Sequence, residues 1–346
     1  MWLLRARAAR AAGTLTAQAL RQVEDEAIQH LLEQQRACGL DIFTDGEFRR
    51  ASFLGDFTTA VEGLEHVPAN ADFFAAGGPS ARPTLAVTRR LRQRARLARV
   101  ESSSLNQHVP GSFKITLPTP FQFTNFVPGV TDRVYASRQE LLAELASIVA
   151  SEVSALFAEG VHYVQIDAPR YSYFIDPRLA NRFKTGGVDP GLTLDQVLAA
   201  DNAVLSAPRP NGTITALHLC RGNARSTWYA EGGYDAIAEQ LFSQVNADRF
   251  LLEYDDERSG SFEPLRFVPS GKIVVLGLVT TKSDAMESQA ELLRRIDAAA
   301  RYVPLKQLAL SPQCGFASLV EGNQISPDTQ WRKLELVVDT ARRVWG

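Results

Sequence analysis

Cysteine is scarce in this chain of 346 residues: Cys38, Cys220 and Cys314 are odd in number and far apart. That excludes a disulfide framework and fits a reducing, cytoplasmic setting. An excess of one charge is lacking too. The formal net charge is −2 and the pI is near 6.3, whereas a nucleic-acid-binding domain is usually strongly basic. No run of about 18 or more uninterrupted apolar residues offers a membrane span, so the sequence reads as soluble. Internal repeats are missing, and nothing in the composition suggests disorder. A small-molecule partner is the expectation that survives.

What is present is a hydrophobic content of 45%, enough for one large α/β domain or two ordinary ones. The opening residues Met1 to Arg10 are Arg-rich, and no acid occurs before Glu24, which superficially resembles an organellar transit peptide. An Ala-rich first helix is the preferred reading, because Ala and Arg are strong helix formers. From Thr16, a plausible N-cap, the spacing of Leu20, Val23, Ala27, Ile28, Leu31 and Leu32 predicts a helix ending near Cys38-Gly39. Leu40 to Thr44 then reads as a short strand, followed by the charged cluster Asp45-Gly46-Glu47-Phe48-Arg49-Arg50.

Residues 51 to 112 read as an excursion from the main architecture, with Gly77-Gly78-Pro79 and a basic segment containing Arg82, Arg89, Arg90, Arg92, Arg94, Arg96 and Arg99. Leu91, Ala95 and Leu97 among those arginines suggest a solvated hairpin or helix face. An electropositive surface for an anionic substrate tail is the sharper alternative.

Strand and helix signals then alternate. Strands are expected at 113–117, 161–166, 214–220, 250–253, 273–278 and 308–310, with helices at 138–158, 194–205, 237–245, 285–301 and 327–344. Such alternation implies parallel strands with crossover helices, in a doubly wound sheet or a barrel. With Leu40 to Thr44 the strand candidates number seven. A (β/α)8 TIM-type barrel spanning 1–346 as a single catalytic domain would need one more, and the missing strand would be the first.

The stretch Ile214 to Cys220 organises the rest. Residues two apart on a strand face the same way, so His218 and Cys220 point into one site. The polar residues at the carboxyl ends of the expected strands are Asp45, Glu47, Asp167, His218, Cys220, Glu253, Lys282 and Cys314. In a (β/α) barrel that face carries the active site. His218, Cys220, Glu253 and Cys314 supply an imidazole, two thiolates and a carboxylate, a set suited to tetrahedral zinc. Structural zinc sites usually draw on local Cys-x-x-Cys clusters, whereas these ligands are scattered. Two thiolates and a carboxylate outweigh the ion's charge, which makes a poor activator of water and a good cradle for a substrate thiolate.

At this point the sequence resembles the cobalamin-independent methionine synthases, above all their shorter single-barrel relatives. The resemblance covers nearly the whole chain and is carried by Thr44-Asp45-Gly46-Glu47-Phe48-Arg49-Arg50, Gln165-Ile166-Asp167, His218-Leu219-Cys220-Arg221-Gly222-Asn223, Leu252-Glu253-Tyr254-Asp255 and Ser311-Pro312-Gln313-Cys314-Gly315-Phe316. It implies a barrel with catalytic zinc on His218, Cys220, Glu253 and Cys314, moving a methyl group from 5-methyltetrahydrofolate to homocysteine; a corrinoid protein is the other donor that the sequence leaves open. It also implies that Glu47 and Asp167 hold the amino group of the amino-acid thiol. Asp45, Arg221 and Asn223 are expected near the substrate, with Trp228 at the mouth or in packing.

The sequence departs from that pattern in the absent N-terminal barrel of the long form, in the missing first strand, and at Thr280-Thr281-Lys282, where the family carries a proton-donating His. Lys282 is a candidate proton donor, with an ion pair to a neighbouring carboxylate as its plainer role. Other readings are a zinc-dependent alkyltransferase on another thiol, as in epoxide opening by coenzyme M, a non-catalytic zinc-containing barrel that binds a ligand, and a metal-free decarboxylase barrel.

Overall fold

The computed structural model describes residues 2–55, 57–67, 84–179, 181 and 191–346. The chain opens with two helices, α1 (Trp2–Ala11) and α2 (Ala17–Cys38). The Thr16 hydroxyl caps α2 by accepting the Ala19 amide at 3.1 Å. Gly39 ends it at φ 85°, a left-handed turn that only glycine adopts without strain. α1 buries none of its side chains.

The expected strand at Leu40 to Thr44 is reduced to one parallel bridge, Phe43 with Phe113. Its bonds run from Phe43 N to Ser112 O (2.8 Å) and from Lys114 N to Phe43 O (3.1 Å). Among the described residues no strand pairs with the opposite edge of this segment. A ladder on one side alone holds less backbone in the extended form.

The excursion is a helix α3 (Phe57–Ala60), an antiparallel pair β1 (Val61–Val67) and β2 (Thr84–Gln93), and a helix α4 (Arg99–His108). Its arginines are matched by acids: Arg89 with Glu65 and Arg94 with Glu62, each at 2.6 Å, and Arg96 with Glu152 at 2.8 Å. Four of the six described arginines of the run, Arg89, Arg90, Arg94 and Arg96, are ion-paired, as expected of a solvated hairpin face. Gly77-Gly78-Pro79 and Arg82 lie outside the described residues.

The main sheet contains β3 (Ile115–Pro118), β4 (Tyr163–Asp167), β5 (Ile214–Leu219), β6 (Arg249–Glu253), β7 (Ile273–Val279) and β8 (Leu308–Pro312). All neighbours are parallel and the spatial order follows the sequence. A doubly wound sheet reverses its strand order at a switch point. This sheet does not, and it winds as a TIM-type (β/α) barrel. Among the described residues no strand closes the barrel between β8 and the Phe43 segment.

Crossovers are made by α5 (Arg138–Ala158), the short α6 (Ser172–Ile175), α7 (Leu194–Leu205), α8 (Ala238–Gln244) and α9 (Gln289–Ala299), and α10 (Pro327–Trp345) follows β8. The helix expected at 285–301 starts later because Ser288 caps it, accepting the Glu291 amide at 3.2 Å. By length and composition α5 is apolar enough to cross a membrane, although scattered polar residues interrupt its apolar run. Its apolar faces are core: Leu141, Leu145, Val149 and Leu156 are fully buried, and it packs on α7. Each such side chain contributes about 1.5–3 kcal/mol by leaving water.

Alternation along the strands builds the interior. Tyr163, Ala216, Leu251 and Val275 form a small apolar cluster. Two residues further along, the same faces present Gln165, His218, Glu253 and Gly277, so the polar site begins one layer above an apolar floor.

Candidate metal and substrate site

The register of β4 and β5 places Asp167 beside His218, and the turn after β8 brings Cys314 across. His218, Cys220 and Cys314 have their ligand atoms within 4.8 Å of one another. The His218 Nδ1 lies 3.3 Å from the Leu251 carbonyl oxygen, an arrangement that makes Nδ1 the donor and leaves Nε2 a lone pair. Among the described residues that buried Nε2 has no hydrogen-bond partner. A buried unsatisfied nitrogen carries a free-energy cost unless something accepts its lone pair. With two sulfurs alongside, a soft or borderline metal ion is the fitting occupant. The two thiols share their protons unequally. A hydrogen bond from Cys220 holds Cys314 well below the usual thiol range, against burial and with help from His218. The same contact, with burial, pushes Cys220 well above it.

Glu253 is completely buried and lies outside that trio. Its Oε2 accepts the Arg221 amide at 2.6 Å. Its Oε1 accepts Lys282 Nζ and Arg258 Nη2, each at 3.2 Å. Lys282 Nζ also donates to Asp255 Oδ2 at 3.0 Å, the ion-paired arrangement anticipated as its plainer role.

The second half of the site stands on the loop after Phe43. Gln35 of α2 clamps Thr44 from both sides, donating to its carbonyl at 2.8 Å and accepting its amide at 3.0 Å. The Asp45 carboxylate accepts the Glu47 amide at 2.9 Å and holds Glu47 at φ 54°, a left-handed conformation rare for a residue with a side chain. That turn aims Glu47 at Thr116, whose hydroxyl donates to Glu47 Oε1, and at Arg50, whose Nη1 lies 3.3 Å from the same oxygen. Burial pushes Glu47 up to about 7, against the pull of Arg50 and with a further push from Asp167. Asp167 is likewise raised by burial, with His218 opposing. Two carboxylates raised in this way face a common space, and a ligand ammonium would relieve both.

That space is a cavity of about 1180 Å³ whose walls include Glu47, Asp167, His218, Cys220, Asn223 and Cys314. Asp45 also lines it and is 3.5 Å from Arg49. Asn223 fixes the rim by donating to the Gly315 carbonyl at 2.7 Å and accepting Asn323 at 2.8 Å. Arg221 is outside the cavity wall. Its guanidinium donates to the Gly232 carbonyl at 2.6 and 2.9 Å and to the Tyr234 hydroxyl at 2.9 Å, which makes it a scaffold beneath Glu253. Trp228 is half exposed and carries the Arg258 guanidinium 4.2 Å above its ring.

The sequence pattern of the cobalamin-independent synthase catalytic domain matches residues 3–342. The chain belongs to that family. It is 38% identical over 343 residues to the uncharacterized protein YxjH of Bacillus subtilis, covering 98% of this chain and 90% of that one. It is 24% identical over 325 residues to a methionine synthase of Pyrococcus abyssi, covering 92% and 83%. A B12-independent methionine synthase from Shewanella sp. W3-18-1, solved in complex with selenomethionine, superposes with a TM-score of 0.72 at 21% identity and covers 96% and 90% of the two chains. At that identity the likeness speaks for the fold. Membership in a family that contains methionine synthases supports an enzyme of the methyltransferase class.

Two residues of this synthase-family site escape a reading of the sequence. Lys114 donates to Gln165 Oε1 at 2.8 Å, and Gln165 passes the contact on to Asp167 Oδ1 at 2.7 Å. A signal for it exists: Lys114 and Thr116 share a strand face, and Thr116 touches Glu47. Glu101, in the excursion, grips Arg50 from behind through Nε at 2.5 Å and through Nη2. No periodicity points to it.

Proposed function

We propose that this protein is a zinc-dependent S-methyltransferase that makes methionine by transferring a methyl group to homocysteine. The observation that carries the reading is the buried, unpartnered His218 Nε2 beside two cysteine sulfurs, in a cavity that Glu47 and Asp167 also line. His218, Cys220 and Cys314 would hold the ion. Bound zinc would supply a substrate thiol that is deprotonated at neutral pH.

The chain's own residues do the rest. The Leu251 carbonyl fixes the His218 tautomer. Glu47 and Asp167 take the ammonium group of the amino-acid thiol, which orients its sulfur toward the trio. Arg50 and Thr116 hold Glu47, while Gln165 and Lys114 hold Asp167. Two acids facing the thiol's tail favour an aminated thiol over a sulfonated one such as coenzyme M, which they would repel. The methyl donor in this reading is a methylated folate, with a methylcorrinoid protein as the other source. The cytoplasmic setting suggested by the cysteine content goes with it.

Metal analysis beside a transfer assay tests the proposal. One zinc per chain, lost in Cys314→Ala, with methionine formed from homocysteine and 5-methyltetrahydrofolate, is the expected result. Activity only with a methylcorrinoid donor would move the donor and keep the chemistry. Purified protein with no bound zinc would overturn it.

A further inference from the structure

Between β5 and α8 the chain makes a tight hairpin at the rim of the cavity. Ala224 and Thr227 exchange backbone hydrogen bonds at 3.1 and 3.0 Å, and the two residues between them, Arg225 at φ 50° and Ser226 at φ 67°, are both left-handed. Such a turn suits Asn-Gly and costs free energy when both residues carry ordinary side chains. Ala224, Arg225 and Thr227 are exposed, so burial of the tip does not offset that cost. The loop after β8 does. The Ser226 amide donates to Asn323 Oδ1 at 3.0 Å, and Ser226 Oγ accepts the Gln324 amide at 2.8 Å.

Asn323 does more than hold the tip. Its Nδ2 donates to Asn223 Oδ1 and to the Thr281 carbonyl, each at 2.8 Å, so one amide gathers the chain that leaves β5, β7 and β8. Behind the tip the arms are anchored, Asn223 on the Gly315 carbonyl and Tyr229 on the Pro169 carbonyl at 3.0 Å. A strained, exposed tip between anchored arms has two states, latched and released. Ala224 and Asn323 both line the cavity, so the latch joins two parts of its wall. We infer that the 224–227 hairpin is a gate on the cavity and that Asn323 is the positioning residue that latches it, the traffic it controls being that of the bulkier reactant. Homocysteine is small, whereas a methyl carrier, folate or corrinoid, is several times larger. The gate needs no metal, and only its assignment to the methyl donor rests on the reading above.

Thiol labelling of the full chain, with a chelator present, tests the gate without turnover. Cys220 and Cys314 line the cavity, and peptide mass reads the labelling of each by a small reagent, iodoacetamide, and by a bulky one, fluorescein maleimide. Asn323→Ala removes the latch and should speed the bulky reagent about fivefold, the worth of one hydrogen bond. Arg225→Asn makes the left-handed turn less costly and should slow the bulky reagent about threefold. Iodoacetamide should stay within about twofold of wild type in both. Arg225→Asn should also lower kcat/KM for 5-methyltetrahydrofolate about threefold, with the homocysteine dissociation constant within about twofold of wild type. Equal bulky-reagent rates in the three proteins, or the same change with both reagents, overturns the gate. If Asn323→Ala fails to fold, Arg225→Asn decides alone. Donor kinetics that do not move beside altered labelling overturn the assignment to the methyl donor. Wild-type protein that binds no zinc or forms no methionine fails the reading above, while the labelling rates still decide the gate.

Discussion

Lys114 and Asp167 are joined through a single side chain: Gln165 accepts from Lys114 Nζ at 2.8 Å and donates to Asp167 Oδ1 at 2.7 Å. Asp167 borders both halves of the site, beside His218 in the strand register and close enough to Glu47 to push its carboxyl up. The relay sets which way its carboxylate faces.

Gln165→Leu breaks this relay without touching a metal donor. The KM for homocysteine should rise about tenfold, in line with a lost hydrogen bond to a charged group, while zinc content per chain stays as in wild type. A KM that does not move would show that Asp167 needs no such support. Zinc loss would mean that the substitution acts on the metal trio.

Glu47, pushed up to about 7 by burial, makes amine capture depend on pH. Only the ionised carboxylate pairs with an ammonium, and the substrate amine stays protonated well above neutrality. Homocysteine binding should therefore weaken as pH falls below about 7, approaching tenfold per pH unit. Glu47→Gln should bind weakly and flatten that limb. The comparison requires dissociation constants between about pH 5.5 and 8.5, and an unchanged slope in Glu47→Gln would assign the titration to another group.

Arg50 and Glu101 form a buried ion pair that supports Glu47 from behind. Glu101→Ala strands a buried guanidinium, so the folded state should lose about 3–5 kcal/mol. Denaturant titration measures this, and a change under about 1 kcal/mol would mean that water or Glu47 takes over the charge.

Gly277 on β7 has no room for a side chain. A Cβ there would stand 2.7 Å from the Gln313 Cα and 2.9 Å from the Leu252 carbonyl oxygen, both backbone atoms that cannot swing aside. Gly277→Ala should cost about 1–3 kcal/mol of stability and shift the Cys314 turn, so zinc affinity should fall with it. Retained affinity at wild-type melting temperature would show that β7 and β8 part without strain.

Much of the site is legible in strand alternation. The two-residue spacing on β4 and β5 puts Asp167, His218 and Cys220 on inward faces, and the order of the motifs along the chain adds Glu253 and Cys314. Loops give less. Arg221 follows the metal-bearing strand, but which way a loop side chain turns depends on carbonyls such as that of Gly232, and sequence spacing carries no trace of those. Glu101 is hidden because α4 has a buried acid among its few buried residues, which breaks the apolar pattern that marks a packed helix. Phe43 reads as a strand because its neighbours have strand composition, yet a strand also needs partners, and among the described residues one side has none.

The open seam between β8 and the Phe43 segment runs past the two ends of the site. Glu47 hangs from one margin, just beyond Phe43, and Cys314 from the other, just beyond Pro312. Leu40 and Ile42 line the cavity from the first margin, Leu310 and Leu334 from the second. In a closed ring every strand is braced on both sides, and the bite of a site at its rim is fixed. In a curved strip the two free margins set that bite. The reach from the Glu47 carboxylate to the Cys314 sulfur therefore depends on the width of the seam, and in the proposed reading that width would set the length of thiol the site can grasp.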